Sequence, residues 1–212
     1  MLTWINFTLV IFFAMMIEPP KKYLALGDSY TIGESVPEAD RWPNQLVRAL
    51  AAKGKRYEQP RIIATTGWRT DNLRDAMQAA QLKEEYDLVT LLIGVNNQYQ
   101  GRSVQEYEGE FNDLLQWAVK LARGKKENVL VVSIPDYGFT PFGEQKQAEI
   151  SKAIDAFNAV NRAITERAGV RYVHITDISR EGLAKPDYVA ADKLHPSGLM
   201  YEKWVERMAT FF

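Results

Sequence analysis

The sequence contains no cysteine among its 212 residues. Disulfides, thiolate metal sites and thiol nucleophiles are therefore excluded. The compartment stays open, because a cysteine-free chain is tolerated in either redox environment. Histidine is nearly as scarce, with His174 and His195 alone. Without cysteine or an H-E-x-x-H pair the usual zinc donor sets are missing, so neither a catalytic transition metal nor another cofactor is expected. An excess of charge is lacking too: Lys and Arg number 26 against 27 Asp and Glu, a formal net charge of -1. With no long basic block the surface is not built to neutralise phosphates, and no nucleic-acid partner is expected. The nucleotide signatures are absent as well. There is no G-x-G-x-x-G, and the stretch from Gly27 to Gly33-Glu34 lacks the G-K-[ST] ending of a P-loop.

What is present fits one globular domain. Hydrophobic residues make up 46% and charged residues 25%, enough apolar surface to offset chain entropy and to argue against disorder. Leu2 to Ile17 is almost wholly apolar, and Glu18-Pro19-Pro20-Lys21-Lys22 breaks the run. Its length suits a signal-peptide core and is short for a bilayer span. Residues 1–20 are therefore read as an export signal, implying a periplasmic or extracellular protein. An uncleaved anchor, with membrane association confined to residues 2–17, and an upstream mis-start of the reading frame are the alternatives. Residues 21–212 form the domain.

Within that domain short apolar runs alternate with helical patterns. Tyr23–Leu26, Arg61–Ala64, Leu88–Ile93, Val129–Ile134 and Val170–Ile175 are rich in Val, Ile and Leu, as strands covered on both faces must be. Leu46, Val47 and Leu50 recur at helix spacing, as do Tyr107, Phe111, Leu114, Leu115 and Ala118. Ile150, Ile154, Phe157, Val160 and Ile164 form a further stripe, and Met200, Trp204, Val205 and Met208 close the chain. Ser103-x-x-Glu106 reads as a capping box. Five strand–helix alternations predict an α/β protein, a parallel five-stranded sheet with helices on both faces. Ligands of such sheets bind at the carboxyl ends of the strands.

Small and polar residues gather at those ends: Gly27-Asp28-Ser29 after the first strand, Gly67-Trp68 after the second, Gly94-Val95-Asn96-Asn97 after the third. Asp192-Lys193-Leu194-His195-Pro196-Ser197 precedes the last helix. Ser29, where a strand turns into a helix, is placed for nucleophilic attack, because its N–H and the helix dipole favour developing negative charge. A serine hydroxyl needs a base. His195 suits that role, and Asp192 lies close enough in sequence to fix its tautomer. Ser29 N–H, Gly67 N–H and the Asn96 amide are candidate donors to an oxyanion. Taken singly the signals are weak. Gly67 also reads as a turn glycine, Asn96 as a loop cap and Asp28 as a helix cap, and a flavodoxin-like phosphate or flavin cradle at the first helix start is a rival reading.

In their order and combination these residues resemble the SGNH (or GDSL) hydrolase superfamily. Its four blocks are similar to Gly27-Asp28-Ser29, Gly67, Gly94-Val95-Asn96 and Asp192-Lys193-Leu194-His195-Pro196 here. The resemblance implies a flavodoxin-like three-layer α/β/α sandwich and metal-free hydrolysis of esters or thioesters. It implies Ser29 as nucleophile, Gly67 and Asn96 as oxyanion donors, and Asp192 and His195 as triad acid and base. Asn97 departs from the family's usual Asp; it is expected to keep hydrogen bonds while losing a charge.

Trp68, Tyr99, Tyr137, Phe139 and Phe142 fall in predicted loops, where they either wall an acyl or aryl pocket or tack the loops to the sheet. Asp28 and Asn97 join the candidate substrate-binding residues. Arg69 reads as a solvated surface charge, and His174, on the predicted fifth strand, as structural. The expected partner is a small-molecule, lipid or glycan ester: a lysophospholipid, an acyl or aryl ester, or an acetylated sugar. A non-catalytic glycan- or lipid-binding protein on the same scaffold is the alternative function.

Overall fold

The computed structural model describes residues 18–212. The apolar segment Leu2 to Ile17, the core of the export signal or anchor reading, lies outside them. Among the described residues no helix is long and apolar enough to cross a membrane.

Five strands form one parallel sheet: β1 (Tyr23–Gly27), β2 (Arg61–Ala64), β3 (Leu88–Leu92), β4 (Val129–Val132) and β5 (Arg171–Val173), in the order β2-β1-β3-β4-β5. That order is the flavodoxin-like one, with its reversal point beside β1. The register sets Gly27 beside both Ala64 and Leu92, so the first three strands end together. β1, β3 and β4 are buried along their whole length, which is why their sequences show apolar runs rather than alternation.

The helices are α1 (Ser29–Ile32), α2 (Trp42–Ala52), α3 (Thr70–Ala79), α4 (Val95–Tyr99), α5 (Val104–Leu121), α6 (Gln147–Arg167), α7 (Thr176–Ser179) and α8 (Gly198–Met208). α2 packs on α8, while α5 packs on both α3 and α6, giving a helical layer on each face of the sheet. The apolar stripes read from the sequence are the buried faces: Leu46 and Leu50 in α2, Phe111 and Leu115 in α5, Ile154 and Phe157 in α6, Trp204 and Met208 in α8. The expected capping box opens α5. The Glu106 N–H donates to the Ser103 hydroxyl at 3.1 Å, and the Ser103 N–H to the Glu106 carboxylate at 3.0 Å.

Strand ends differ from the sequence reading. The fourth strand stops at Val132 rather than Ile134 because Ile134 leaves the ladder, its N–H and carbonyl both bonded to the Asn158 side chain of α6. The fifth stops at Val173, which leaves His174 outside the sheet, exposed, with its Nε2 3.7 Å from Asp177.

Candidate active site

The first strand turns into α1 within one residue, and Gly27 allows it. A Cβ there would lie 2.1 Å from the Thr31 hydroxyl and 2.5 Å from the Leu92 carbonyl. Asp28 caps the helix, its Oδ1 accepting the Tyr30 N–H at 3.0 Å. Ser29 follows as the first helical residue, only 4% exposed. Asp28 is wholly buried, and its Oδ2 has no partner among the described residues. Burial pushes its carboxyl up to about 7, against the opposing pull of the backbone N–H groups around it.

The loop before α8 carries His195. A bridge between Val189 and Pro196, with the Ala190 N–H donating to the His195 carbonyl at 2.8 Å, closes it into a tight turn. Lys193, at φ 66, takes the left-handed bend. The turn brings Asp192 under its own loop. Oδ1 accepts the backbone N–H groups of Leu194 and His195, each at 2.9 Å, and Oδ2 lies 2.6 Å from Nδ1 of the His195 ring. Partial burial works against ionisation of Asp192. The hydrogen bonds from Ser35, from the two backbone N–H groups and from the imidazole outweigh it, holding the carboxyl at about 2. The paired Nδ1 fixes the ring so that Nε2 is the nitrogen left for chemistry.

Ser29 and His195 line one cleft of about 300 Å³ together with Tyr30, Thr66, Gly67, Val95, Asn96, Tyr99, Tyr137, Phe142 and Leu194. It lies at the carboxyl ends of the strands, where the topology predicts a site. Gly67, at φ 84, is exposed, and among the described residues neither its N–H nor that of Ser29 donates to a backbone acceptor. Asn96 spends one amide hydrogen on the Trp68 carbonyl at 3.0 Å. That bond orients the amide and leaves its second hydrogen available.

Tyr99, Tyr137 and Phe142 form a triangle of rings with centroids 6.1 to 6.3 Å apart. Tyr99 is 59% and Phe142 52% exposed. The loop carrying Phe142 is tied to the histidine loop by its N–H, which donates to the Lys193 carbonyl at 3.1 Å.

Four residues expected in the substrate pocket do not line the cleft. Asp28 lies buried beneath α1 as its cap. Trp68 packs against the core and meets the site through its carbonyl alone. Phe139 lies under the Arg180 guanidinium, 6.0 Å from ring centroid to cation, beside the Asp136–Arg180 ion pair. Asn97 is 1% exposed and holds α3 to α4, its Oδ1 accepting the Thr70 N–H at 3.1 Å and its Nδ2 donating to the Thr70 hydroxyl at 2.6 Å. Arg69 is also not a solvated charge. It is half-buried and pairs with Asp71 at 2.8 Å.

The departure at Asn97 has a physical reason. The Thr70 hydroxyl donates its one proton to the Glu110 carboxylate. Its lone pairs then need a donor, which an amide provides and a carboxylate does not. Ser35, whose hydroxyl donates to Asp192 Oδ2 at 2.6 Å, escaped the sequence reading because no motif marks it and 157 residues separate the two.

The geometry has counterparts among known proteins. The GDSL-like lipase/acylhydrolase family model matches residues 25–203. No curated protein matches the chain. Among solved structures, TesA is similar with a TM-score of 0.71 at 19% identity, over 90% of this chain and 97% of that one. The acetylxylan esterase Axe2 from Geobacillus stearothermophilus is similar with a TM-score of 0.67 at 19% identity, over 92% and 94%. An extracellular lipase from Streptomyces rimosus is similar with a TM-score of 0.71 at 16% identity, over 91% and 100%.

Proposed function

The chain belongs to the GDSL-like lipase/acylhydrolase family, and on that premise we propose that it hydrolyses carboxylic esters through an acyl-enzyme on Ser29. The observation that carries the reading is the shared cleft, in which the serine at the start of α1 and an imidazole already paired with Asp192 meet two loops with free amide donors.

In this reading His195 Nε2 takes the Ser29 proton as Oγ attacks the ester carbonyl. The carbonyl oxygen becomes an anion among the N–H groups of Ser29 and Gly67 and the second amide hydrogen of Asn96. Collapse expels the alcohol, which leaves with the proton from His195. Water then attacks the acyl-enzyme, again giving its proton to His195, and the acid departs as Ser29 is restored. Asp192, ionised throughout, holds the imidazole in its tautomer and stabilises the imidazolium that forms twice per turnover.

The rest of the cleft selects the substrate. Val95, Tyr99, Tyr137, Phe142 and Leu194 give largely apolar walls; of the polar lining residues, Ser29, Gly67, Asn96 and His195 are taken up by the chemistry and the Thr66 hydroxyl is spent on Glu34. Such a wall favours an apolar acyl or aryl group over a sugar ring, which needs hydrogen-bonding partners. Lysophospholipid, acyl and aryl esters therefore rank above acetylated glycans.

A fluorophosphonate probe tests the nucleophile. The expected outcome is one covalent adduct, located on Ser29 by peptide mass spectrometry and absent from Ser29→Ala, alongside hydrolysis of p-nitrophenyl esters with a preference for acyl chains longer than acetyl. A parent protein that neither reacts with the probe nor cleaves any ester in an acyl-length panel would return the scaffold to a binding role.

A further inference from the structure

The chain leaving α1 enters the left-handed region twice in three residues, at Gly33 (φ 72) and Ser35 (φ 64). Glycine does so freely, whereas serine carries a backbone cost. Such a cost persists where surrounding contacts enforce the conformation, and here they are specific. The N–H groups of Gly33 and Glu34 both donate to the Ser29 carbonyl at 3.0 Å, anchoring the turn to the nucleophile's own residue. Glu34 accepts from the hydroxyl of Thr66, the neighbour of Gly67. Ser35 donates to Asp192 Oδ2 at 2.6 Å, the same oxygen that lies 2.6 Å from His195 Nδ1. Two adjacent side chains thus strap the glycine loop after β2 and the histidine loop before α8 to the end of the serine helix.

We infer that Ser35 is a positioning residue of this site: its hydroxyl fixes the Asp192 carboxylate and shares the oxygen that faces the imidazole. The inference rests on the assignment of His195 and Asp192 as base and acid. An oxygen shared between two donors binds each less tightly than an oxygen with one. The hydroxyl therefore limits how firmly Asp192 holds the imidazolium, while the strained turn keeps carboxylate and ring aligned. Without it, Oδ2 has the imidazole as its one side-chain partner, and Oδ1 keeps its two backbone N–H groups. The other charged and titratable groups of the neighbourhood are Glu34 on the strap, Lys193 in the histidine loop, Asp28 under the serine helix, Arg41, and the phenols of Tyr30 and Tyr201. Of these, the Tyr30 ring meets the His195 ring edge-on at 5.6 Å.

Ser35→Gly separates positioning from folding, because glycine removes the hydroxyl and relieves the φ at once. The variant is expected to melt within a few degrees of the parent. Its kcat on p-nitrophenyl esters falls roughly fivefold to tenfold with KM kept. Ser35→Asn, which tolerates the left-handed region and offers an amide donor, recovers part of the rate. A second readout needs no substrate. The chain has two histidines, so NMR follows the ring of His195 against that of His174, whose neighbours are Asp177 and Arg207. In Ser35→Gly the His195 Nδ1–H resonance, which reports the hydrogen bond to Asp192, shifts while the ring signals of His174 stay. An unmoved His195 resonance overturns the inference, whatever the rates. A shifted resonance in a protein that cleaves no ester sustains the role of Ser35 and removes the hydrolase reading instead.

Discussion

Single residues in this site carry opposite electrostatic loads. The Asp192 carboxyl is held at about 2, below its ordinary value of 3.8, so the stability it lends is complete above 3.8 and is lost as the pH falls toward 2. Asp28 is the reverse case: with its carboxyl raised from 3.8 to about 7, the folded state holds a proton that the unfolded chain gives up. Between roughly pH 4 and 7 that group costs stability as the pH rises. Asp28→Asn keeps an oxygen for the Tyr30 N–H and no longer titrates. Its stability relative to the parent is therefore expected to improve from pH 4 to pH 7.5, as measured by urea unfolding across that range. Asn97 gives a second test at this scale. Asn97→Asp sets two carboxylates on a hydroxyl with one proton, and a loss of about 1–3 kcal/mol is expected. Adding Glu110→Gln, which gives the hydroxyl a neutral partner, should recover much of it. A double-mutant cycle by thermal melting reads this coupling, and strict additivity would show that the Thr70 bridge is not shared.

At the scale of elements, the turns between strand and helix carry the constraints. Gly94, at φ 132, opens α4, and a Cβ there would meet the Tyr107 ring at 2.6 Å and Ile134 at 2.8 Å. Gly94→Ala combines an unfavourable backbone with overpacking. A loss of about 2–4 kcal/mol is expected by denaturant melting, with the Asn96 loop displaced and ester hydrolysis reduced. The start of α5 is a milder case. Ser103→Ala removes one half of the capping box at a residue that does not line the cleft, and should cost about 1 kcal/mol while leaving kcat unchanged. Together the two substitutions ask whether the site depends on its own loops or on stability at large.

For the whole molecule, the described core closes on itself. β1 lies inside the sheet and Trp42, Trp204, Tyr107 and Phe111 are buried by elements of residues 23–212. A chain beginning at Glu18 is therefore expected to melt cooperatively at the same temperature as the full chain and to hydrolyse p-nitrophenyl esters at the same rate. Circular dichroism melts and a chain-length panel check both. A large loss of stability on removing residues 1–17 would assign that segment a part in the fold rather than in export.

The sequence by itself determined the sheet, the helical faces and the rim on which the candidate site lies. Buried parallel strands need apolar runs and surface helices need apolar stripes, so composition along the chain records both directly. Alternation then puts every strand end on one rim. It also marked Ser29, Gly67, Asn96, Asp192 and His195, because turns into helices and tight loops restrict which residues fit. The tertiary structure decided what depends on distance through space: that Trp68 and Phe139 turn away from the cleft, that Asn97 answers to Glu110 through Thr70, and that Ser35 reaches Asp192. A hydrogen bond between remote loops leaves no periodic trace in a chain. Its partners are ordinary polar residues until folding brings them within 3 Å.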